Sequence, residues 1–282
     1  MTLGALETET RRALVGALGP AEGRAASRLV MEDSAGFSPV KIATRPELTL
    51  EPETVERVRR CVERIAAGYP PQYAVGRARF MGLDLEVTPA VLIPRPETAG
   101  LVDIITDDAG QRPDLAVLDA GTGSGCIALA LARALPFSRV TAVDISPDAL
   151  EIARRNADAN GIDLDLQKAD ILHLSAPGAP LYDIIVSNPP YIPEHEREEV
   201  DVSVARYEPA GALFIPDSDP LVFYRALARY AARALRPGGR LYFEINPHYA
   251  QGVCELMTAA GLLDVETLRD AFGKLRYARG RR

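Results

Sequence analysis

Residues 115–145 read LAVLDAGTGSGCIALALARALPFSRVTAVDI, and the fold is decided there. A short apolar run, 115–120, stops at Gly121, Gly123 and Gly125, and CIALALARAL follows at helical spacing. RVTAVDI (139–145) is a second apolar strand. Strand, glycine loop, helix and strand in that order predict a parallel pair with a crossover helix. Working outward, the alternation continues. SPDALEIARRNADANG (146–161) reads as a helix, with Ser146 placed to cap it and Pro147 at its first position. LDLQKAD (164–170) and YDIIVS (182–187) read as strands, 217–236 as a helix ending at Pro237-Gly238-Gly239, RLYFEI (240–245) as a strand and 248–260 as a helix. LLDVETL and KLRYARG close the sheet as an antiparallel edge pair. The expected architecture is an α/β fold with a seven-stranded, doubly wound, mostly parallel sheet covered on both faces. Ligands of such sheets bind beyond the carboxyl ends of the strands, at a topological switch point.

The chain before this region has another texture. EPETVERVRRCVERIAAG carries Val55, Val58, Val62, Ile65 and Ala66 as one stripe, with Pro52 and Glu53 suited to a first turn and Gly68 to a stop. Residues 1–75 are read as a small helical domain, poorly patterned over 19–50. Residues 76–96 switch towards period two, with Gly82 as a hairpin turn and Pro89, Pro94 and Pro96 stiffening the exit. That segment reads equally as a rigid joint or as a plain linker. The remainder, 97–282, is the α/β domain.

Composition narrows the function. The chain has 282 residues, 47% hydrophobic and 25% charged, which suits about two folded domains. Its net charge of -7 argues against a surface built to grip nucleic acid. Cys61, Cys126 and Cys254 form no disulfide framework or metal knuckle, and His173, His195 and His248 are scattered, so no metal is expected. The first thirty residues lack the pattern of a signal peptide, and no apolar run is long enough for a bilayer. The expectation is a cytoplasmic monomer with no membrane attachment.

The glycine loop lacks the Gly-Lys-Ser/Thr ending of a phosphate loop, and Cys126 stands where a dinucleotide fingerprint needs its third glycine. Its glycines instead let the backbone turn tightly and approach a ligand. Asp144, ending the second strand, can accept from both hydroxyls of a ribose; the competing reading, a helix cap, is better filled by Ser146. Asp170 ends the third strand and can accept from an adenine amino group, and Asp119 at the loop's mouth can face a ligand ammonium. One loop and three carboxylates suit a positively charged nucleoside.

Asn188, Pro189, Pro190 and Tyr191 sit at the carboxyl end of the fourth strand. The amide of Asn188 offers an acceptor to a substrate N–H. Proline has no N–H, so the backbone here presents carbonyls without competing donors. Together they can hold a planar NH₂ by both hydrogens, with Tyr191 stacked on it. His195 and Glu194 follow, as a candidate base or as a solvated loop.

With these motifs in order, the chain resembles the class I S-adenosylmethionine-dependent methyltransferases that act on planar amino groups. Within that class it is similar to the protein-(glutamine-N5) methyltransferases of peptide chain release factors, through YPPQYAVG (69–76), VLIPRPET (91–98), YEPAGALF (207–214), GGRLYFEI (238–245) and DAFGKLRYARG (270–280). The resemblance implies in-line transfer of a methyl group from S-adenosylmethionine to the N5 amide of the glutamine in a Gly-Gly-Gln motif, releasing S-adenosylhomocysteine. The partners implied are release factors 1 and 2. It places the cofactor on Asp119, Gly121, Thr122, Gly123, Gly125, Asp144, Ile145, Asp170, Ile171, Asn188, Pro94 and Arg95. The substrate falls to Asn188, Pro189, Tyr191, Pro96 and Glu97, with the Asn188–Tyr191 turn, Pro190 included, as the catalytic element. The helical domain helps receive the release factor. Ala99, Asn246 and the segment DSDPLVFYR (217–225) depart from the family pattern. Three rivals share features: a ribosomal-protein glutamine methyltransferase, a DNA adenine-N6 methyltransferase, and a methyltransferase-like binding module without activity. The DNA enzyme would need a basic groove that the charge does not support. A module without activity would be expected to have a damaged loop or turn, and both are whole.

Overall fold

The computed structural model describes residues 1–175, 178 and 181–282, which divide into two compact units. One comprises Met1–Arg77 with Val202–Tyr207, the other Ala78–Asp201 with Glu208–Arg282.

The first unit is helical: α1 (Leu3–Leu18), α2 (Pro20–Leu29), α3 (Pro39–Thr44), α4 (Pro52–Ala66) and α5 (Pro71–Val75). Each start follows from local chemistry. The Thr2 and Ser38 hydroxyls accept from the backbone N–H of Ala5 and Lys41, and α2 to α5 each begin on a proline whose missing N–H costs nothing there. Gly19 at φ +82° allows the sharp passage from α1 to α2. The buried face of α4 is Val55, Val58, Cys61 and Ile65, packed with Leu3, Leu6, Leu14, Val30 and Met31. The expected stripe differs at two places. Cys61 lies inside, its thiol donating to the Ala74 carbonyl at 3.3 Å, while Ala66 is exposed at the helix end.

The second unit opens with a hairpin, β1 (Arg77–Phe80, its first residue at the boundary) and β2 (Leu83–Glu86). Met81 and Gly82 both turn with positive φ, as a two-residue hairpin requires. The hairpin is part of the α/β core rather than a free joint. Phe80, Leu83 and Leu85 are buried in one cluster with Val117, Ile127, Leu131 and Ile184. Helix α6 (Pro96–Ala109) follows, an element the sequence reading does not contain.

Strands β3 (Ala116–Ala120), β4 (Arg139–Asp144), β5 (Asp165–Lys168) and β6 (Tyr182–Ser187) run parallel, connected on the way by α7 (Cys126–Ala134) and α8 (Pro147–Asn160). A two-stranded side sheet, β7 (Ile192–Pro193) with β8 (Phe214–Ile215), lies beyond, and the chain between them carries α9 (Val202–Tyr207) and α10 (Ala210–Leu213). Then come α11 (Val222–Ala234), β9 (Leu235–Glu244), α12 (Ala250–Ala259), β10 (Leu263–Arg269) and β11 (Leu275–Arg281). The seven strands lie in the order β10-β11-β9-β6-β3-β4-β5, with β11 antiparallel to both neighbours. The expected helix over 217–236 is shorter, and β9 starts at Leu235 and passes through Pro237-Gly238-Gly239 with a register shift against β6.

Alternation along each strand builds two cores. Val117, Ala142, Ile184, Val186 and Tyr242 face one side with α6 and α7, while Leu118, Val143, Ile185, Leu241 and Phe243 face α11 and α12. From β3 the chain winds outward through β4 to β5, then returns to β6 on the other side of β3. The crevice beyond the carboxyl ends of β3 and β6 is the switch point.

Candidate active site

The glycine loop is held from its neighbour strand. The N–H groups of Gly121 and Thr122 both donate to the Val143 carbonyl at 2.9 Å, and that of Gly123 donates to Asp144 Oδ2 at 2.9 Å. Asp144 Oδ1 accepts from the Ser146 N–H at 2.9 Å, and Ser146 Oγ caps α8 by accepting from Ala149. Helix capping therefore falls to Ser146, which leaves the Asp144 carboxylate on the cavity wall with acceptor capacity to spare.

Beyond the strand ends lies a cavity of about 440 Å³. Its floor is Gly121–Ser124 and its sides are Asp144–Ser146, Asp170–Leu172, Asn188 and Pro190, and Val91–Leu92 with Pro94, Arg95 and Thr98. The Pro94–Arg95 edge is pinned by Glu208, which is buried. Its carboxylate accepts from the Ile93 N–H at 3.0 Å and from the Arg95 guanidinium at 2.5 Å. At Asn188 the amide Nδ2 donates to Thr98 Oγ1 at 3.4 Å, and the Thr98 hydroxyl donates to Glu244 Oε2 at 2.8 Å. Glu244 Oε1 accepts from the Tyr191 hydroxyl at 3.2 Å.

Comparison with known proteins then places the chain. Residues 8–76 match the PrmC N-terminal domain and residues 117–207 a methyltransferase domain. A methyltransferase structure from Pyrococcus furiosus superposes with a TM-score of 0.51 at 22% identity, covering 71% of this chain and 89% of that one, a likeness of fold. The release factor glutamine methyltransferase of Bacteroides thetaiotaomicron is 41% identical over 256 residues, 90% of this chain and 91% of the relative. That of Streptococcus pneumoniae is 42% identical over 243 residues, 85% and 84% of the two chains. This chain belongs to the release factor glutamine methyltransferase family.

Seen as a member of that family, the site suits the S-adenosylmethionine that the sequence leads one to expect. A Cβ built on Gly121 or Gly123 would meet nothing within 4 Å, so both glycines open onto space a ligand can fill. Asp119 is fully buried, and its Oδ1 has no hydrogen-bond partner among the described residues. Burial pushes its carboxyl up to about 7. The cavity is the right size for one nucleoside-sized ligand and a side chain.

Of the residues expected at the site, Gly121, Thr122, Gly123, Asp144, Ile145, Asp170, Ile171, Asn188, Pro190, Pro94 and Arg95 line the cavity. Others stand behind it. Asp119 is tied by its Oδ2 to Thr122 Oγ1 at 2.6 Å and the Ala128 N–H at 3.2 Å. Gly125 is a glycine for packing: an added Cβ would lie 3.3 Å from Ala153 Cβ, and its φ is +81°. Pro189 is buried, and Tyr191 turns its hydroxyl to Glu244. Pro96 and Glu97 form the first turn of α6, where the Glu97 carbonyl accepts from the Tyr277 hydroxyl at 2.6 Å. Asp170 lines the wall while accepting from the Leu172 N–H and meeting the His173 ring at 2.7 Å. His195, the candidate base, is exposed and paired with Asp217 at 2.7 Å, outside the lining. Cys126 is on the wall, but burial pushes its thiol up to about 12, so it offers no thiolate. Glu208 and Glu244 were missed as site residues. They lie 20 and 56 positions from Asn188, and no local spacing joins them. Among the described residues no helix is long and apolar enough to cross a membrane.

Proposed function

We propose that this protein transfers the methyl group of S-adenosylmethionine to the side-chain amide nitrogen of the Gly-Gly-Gln glutamine in peptide chain release factors 1 and 2. The cofactor supplies, when bound, a methyl group activated by a sulfonium leaving group. The observation that carries the reading is that Asn188 lines the same cavity as the glycine loop, with its amide nitrogen turned to Thr98. That leaves Asn188 Oδ1 as an acceptor for one hydrogen of the glutamine NH₂. We assign the second acceptor to the Pro189 carbonyl: its ring is buried, but it is flanked by Asn188 and Pro190, which line the cavity, and is followed by a residue without N–H.

An amide nitrogen is a weak nucleophile, so the protein's task is to aim it and to favour the charge that develops there. Two acceptors on its hydrogens do both, and their attraction grows as the nitrogen turns positive. The proton of the methylated amide is acidic enough to leave to water. No base is needed, which agrees with His195 lying elsewhere. Gly121–Gly123 and Asp144 hold the cofactor, Asp144 by accepting from its ribose hydroxyls. The first unit is assigned to receiving the body of the release factor.

The test incubates the protein and S-adenosylmethionine with purified release factors, a ribosomal-protein fraction and DNA. Peptide mass spectrometry should find one methyl group on the Gly-Gly-Gln glutamine. Methyl groups confined to a ribosomal protein or to DNA would overturn the reading.

A further inference from the structure

Glu244 closes β9, and β9 lies parallel to β6 with Phe243 opposite Ser187, so this carboxylate sits beside the turn that follows β6. It is 1% exposed and joins two residues of that turn's surroundings. Its Oε2 takes the Thr98 hydroxyl at 2.8 Å, and its Oε1 takes the Tyr191 hydroxyl at 3.2 Å. Thr98 stands in the first turn of α6 and is also buried, within reach of Asn188 Nδ2 at 3.4 Å.

The two ends of an asparagine amide have nearly the same shape, so only hydrogen-bond polarity decides which way the group faces. Here the polarity starts at Glu244. An ionised carboxylate can only accept. Thr98 has a single hydroxyl hydrogen and gives it to Glu244, which leaves lone pairs towards Asn188. Asn188 must therefore present its NH₂ to Thr98 and its carbonyl oxygen to the opposite side. We propose that Glu244, acting through the Thr98 hydroxyl, fixes the orientation of the Asn188 amide so that an acceptor rather than a donor faces the substrate NH₂. Both are positioning residues. Turned the other way, Asn188 would oppose an NH₂ to the substrate's NH₂, and neither could accept.

Burial raises the Glu244 carboxyl above its usual range, and Thr98, Arg276 and Tyr191 oppose that rise by favouring the ionised form. Glu97 adds a like charge, Cys126 and Tyr277 feel the carboxylate, and Tyr224 donates to the Glu244 backbone carbonyl at 3.2 Å. Because both carboxylate oxygens already accept from a hydroxyl, a neutral group there would have to reverse one of those bonds.

The inference rests on the substrate role proposed for Asn188, and a double-mutant cycle separates the two. Thr98→Val keeps the shape and removes the hydroxyl. Single-turnover methylation of a full-length release factor should fall about 10–100-fold, the loss typical when an orienting partner is removed. KM for the release factor and the affinity for S-adenosylmethionine by titration calorimetry should stay near wild type. Thr98→Ser should recover most of the lost turnover. In an Asn188→Ala background Thr98→Val should add almost nothing, because its effect runs through Asn188. Glu244→Met, which removes both acceptors, should resemble Thr98→Val; if it does not fold, the threonine arm stands alone. Full turnover in Thr98→Val, or losses that add in the double variant, would sink the orientation role and leave the substrate role of Asn188 intact. Full turnover in Asn188→Ala would overturn both.

Discussion

Asn188 and Asp144 line one cavity, yet their chemistry separates them. Asn188 is assigned to the acceptor substrate, whose nitrogen gains charge during the reaction, so its contribution should grow in the transition state. Asn188→Ala should lower single-turnover methylation roughly 10²–10³-fold, as for loss of one preorganised transition-state contact, with cofactor affinity nearly unchanged. Asp144→Ala should weaken cofactor binding about 10–100-fold, as for loss of hydrogen bonds to a charged group. Calorimetry beside methylation kinetics checks the split, and equal loss of affinity in both variants would refute it. Asp119 adds a pH dependence. Its folded-state value of about 7 is raised from 3.8 by burial, with Asp144 adding to the rise. The folded protein thus holds a proton that the unfolded chain would release, and the ligand-free protein should lose stability as pH climbs from about 4 to 7. Cofactor binding runs in the opposite sense. A cationic ligand prefers the ionised acid, so affinity should weaken as pH drops below 7, by at most about tenfold per unit. Calorimetry from pH 5.5 to 8 should show that slope in the wild type, and Asp119→Asn should flatten it.

Among the elements, β3, β4 and β6 were legible because each is a compact apolar run stopped by glycine, aspartate or asparagine at the cavity end, while the polar β5 was legible only from its place in the strand–helix alternation. The loop at 121–125 and the turn at 188–191 were legible for the same reason: their chemistry is local. Helix α6 was not, since Pro94 and Pro96 suggested an extended joint, whereas Pro96 occupies a first helical position where proline is welcome. The hairpin's role was hidden because its partners are distant. Asn156, 70 positions beyond Glu86, accepts from the Glu86 N–H at 2.6 Å. It also donates to the Glu86 carbonyl at 3.1 Å and to the Ser124 carbonyl at 2.9 Å. One buried amide on α8 thus fastens the hairpin to the glycine loop. Asn156→Ala would strand these groups at a cost of about 1–3 kcal/mol each where they stay dry. Thermal unfolding should shift down by several degrees, and cofactor affinity should fall with it, because the loop loses its tether. A variant that melts early but binds the cofactor as tightly as wild type would show that the loop holds its shape without α8.

For the molecule as a whole, the distribution of tasks between the units sets the last expectation. Every residue lining the cavity belongs to the second unit, and a volume of about 440 Å³ leaves room for little beyond the cofactor and one glutamine side chain. Selection of a whole release factor must then draw on surface elsewhere, and the first unit, matched to the PrmC N-terminal domain, is the proposed source. That unit exposes large apolar side chains, Val40 on α3 and Val202 on α9, at 72% and 78%. A short Gly-Gly-Gln peptide would fill the cavity but forgo any contact with such residues. Its methylation should therefore be limited by KM far more than by the rate of transfer at saturation. Val202→Glu, a surface change with little cost to stability, should raise KM for the full-length factor and leave the peptide's constants alone. Steady-state kinetics with both acceptors reads this directly. If the peptide matched the full-length factor in kcat/KM, the cavity alone would account for recognition, and the helical unit would need another purpose.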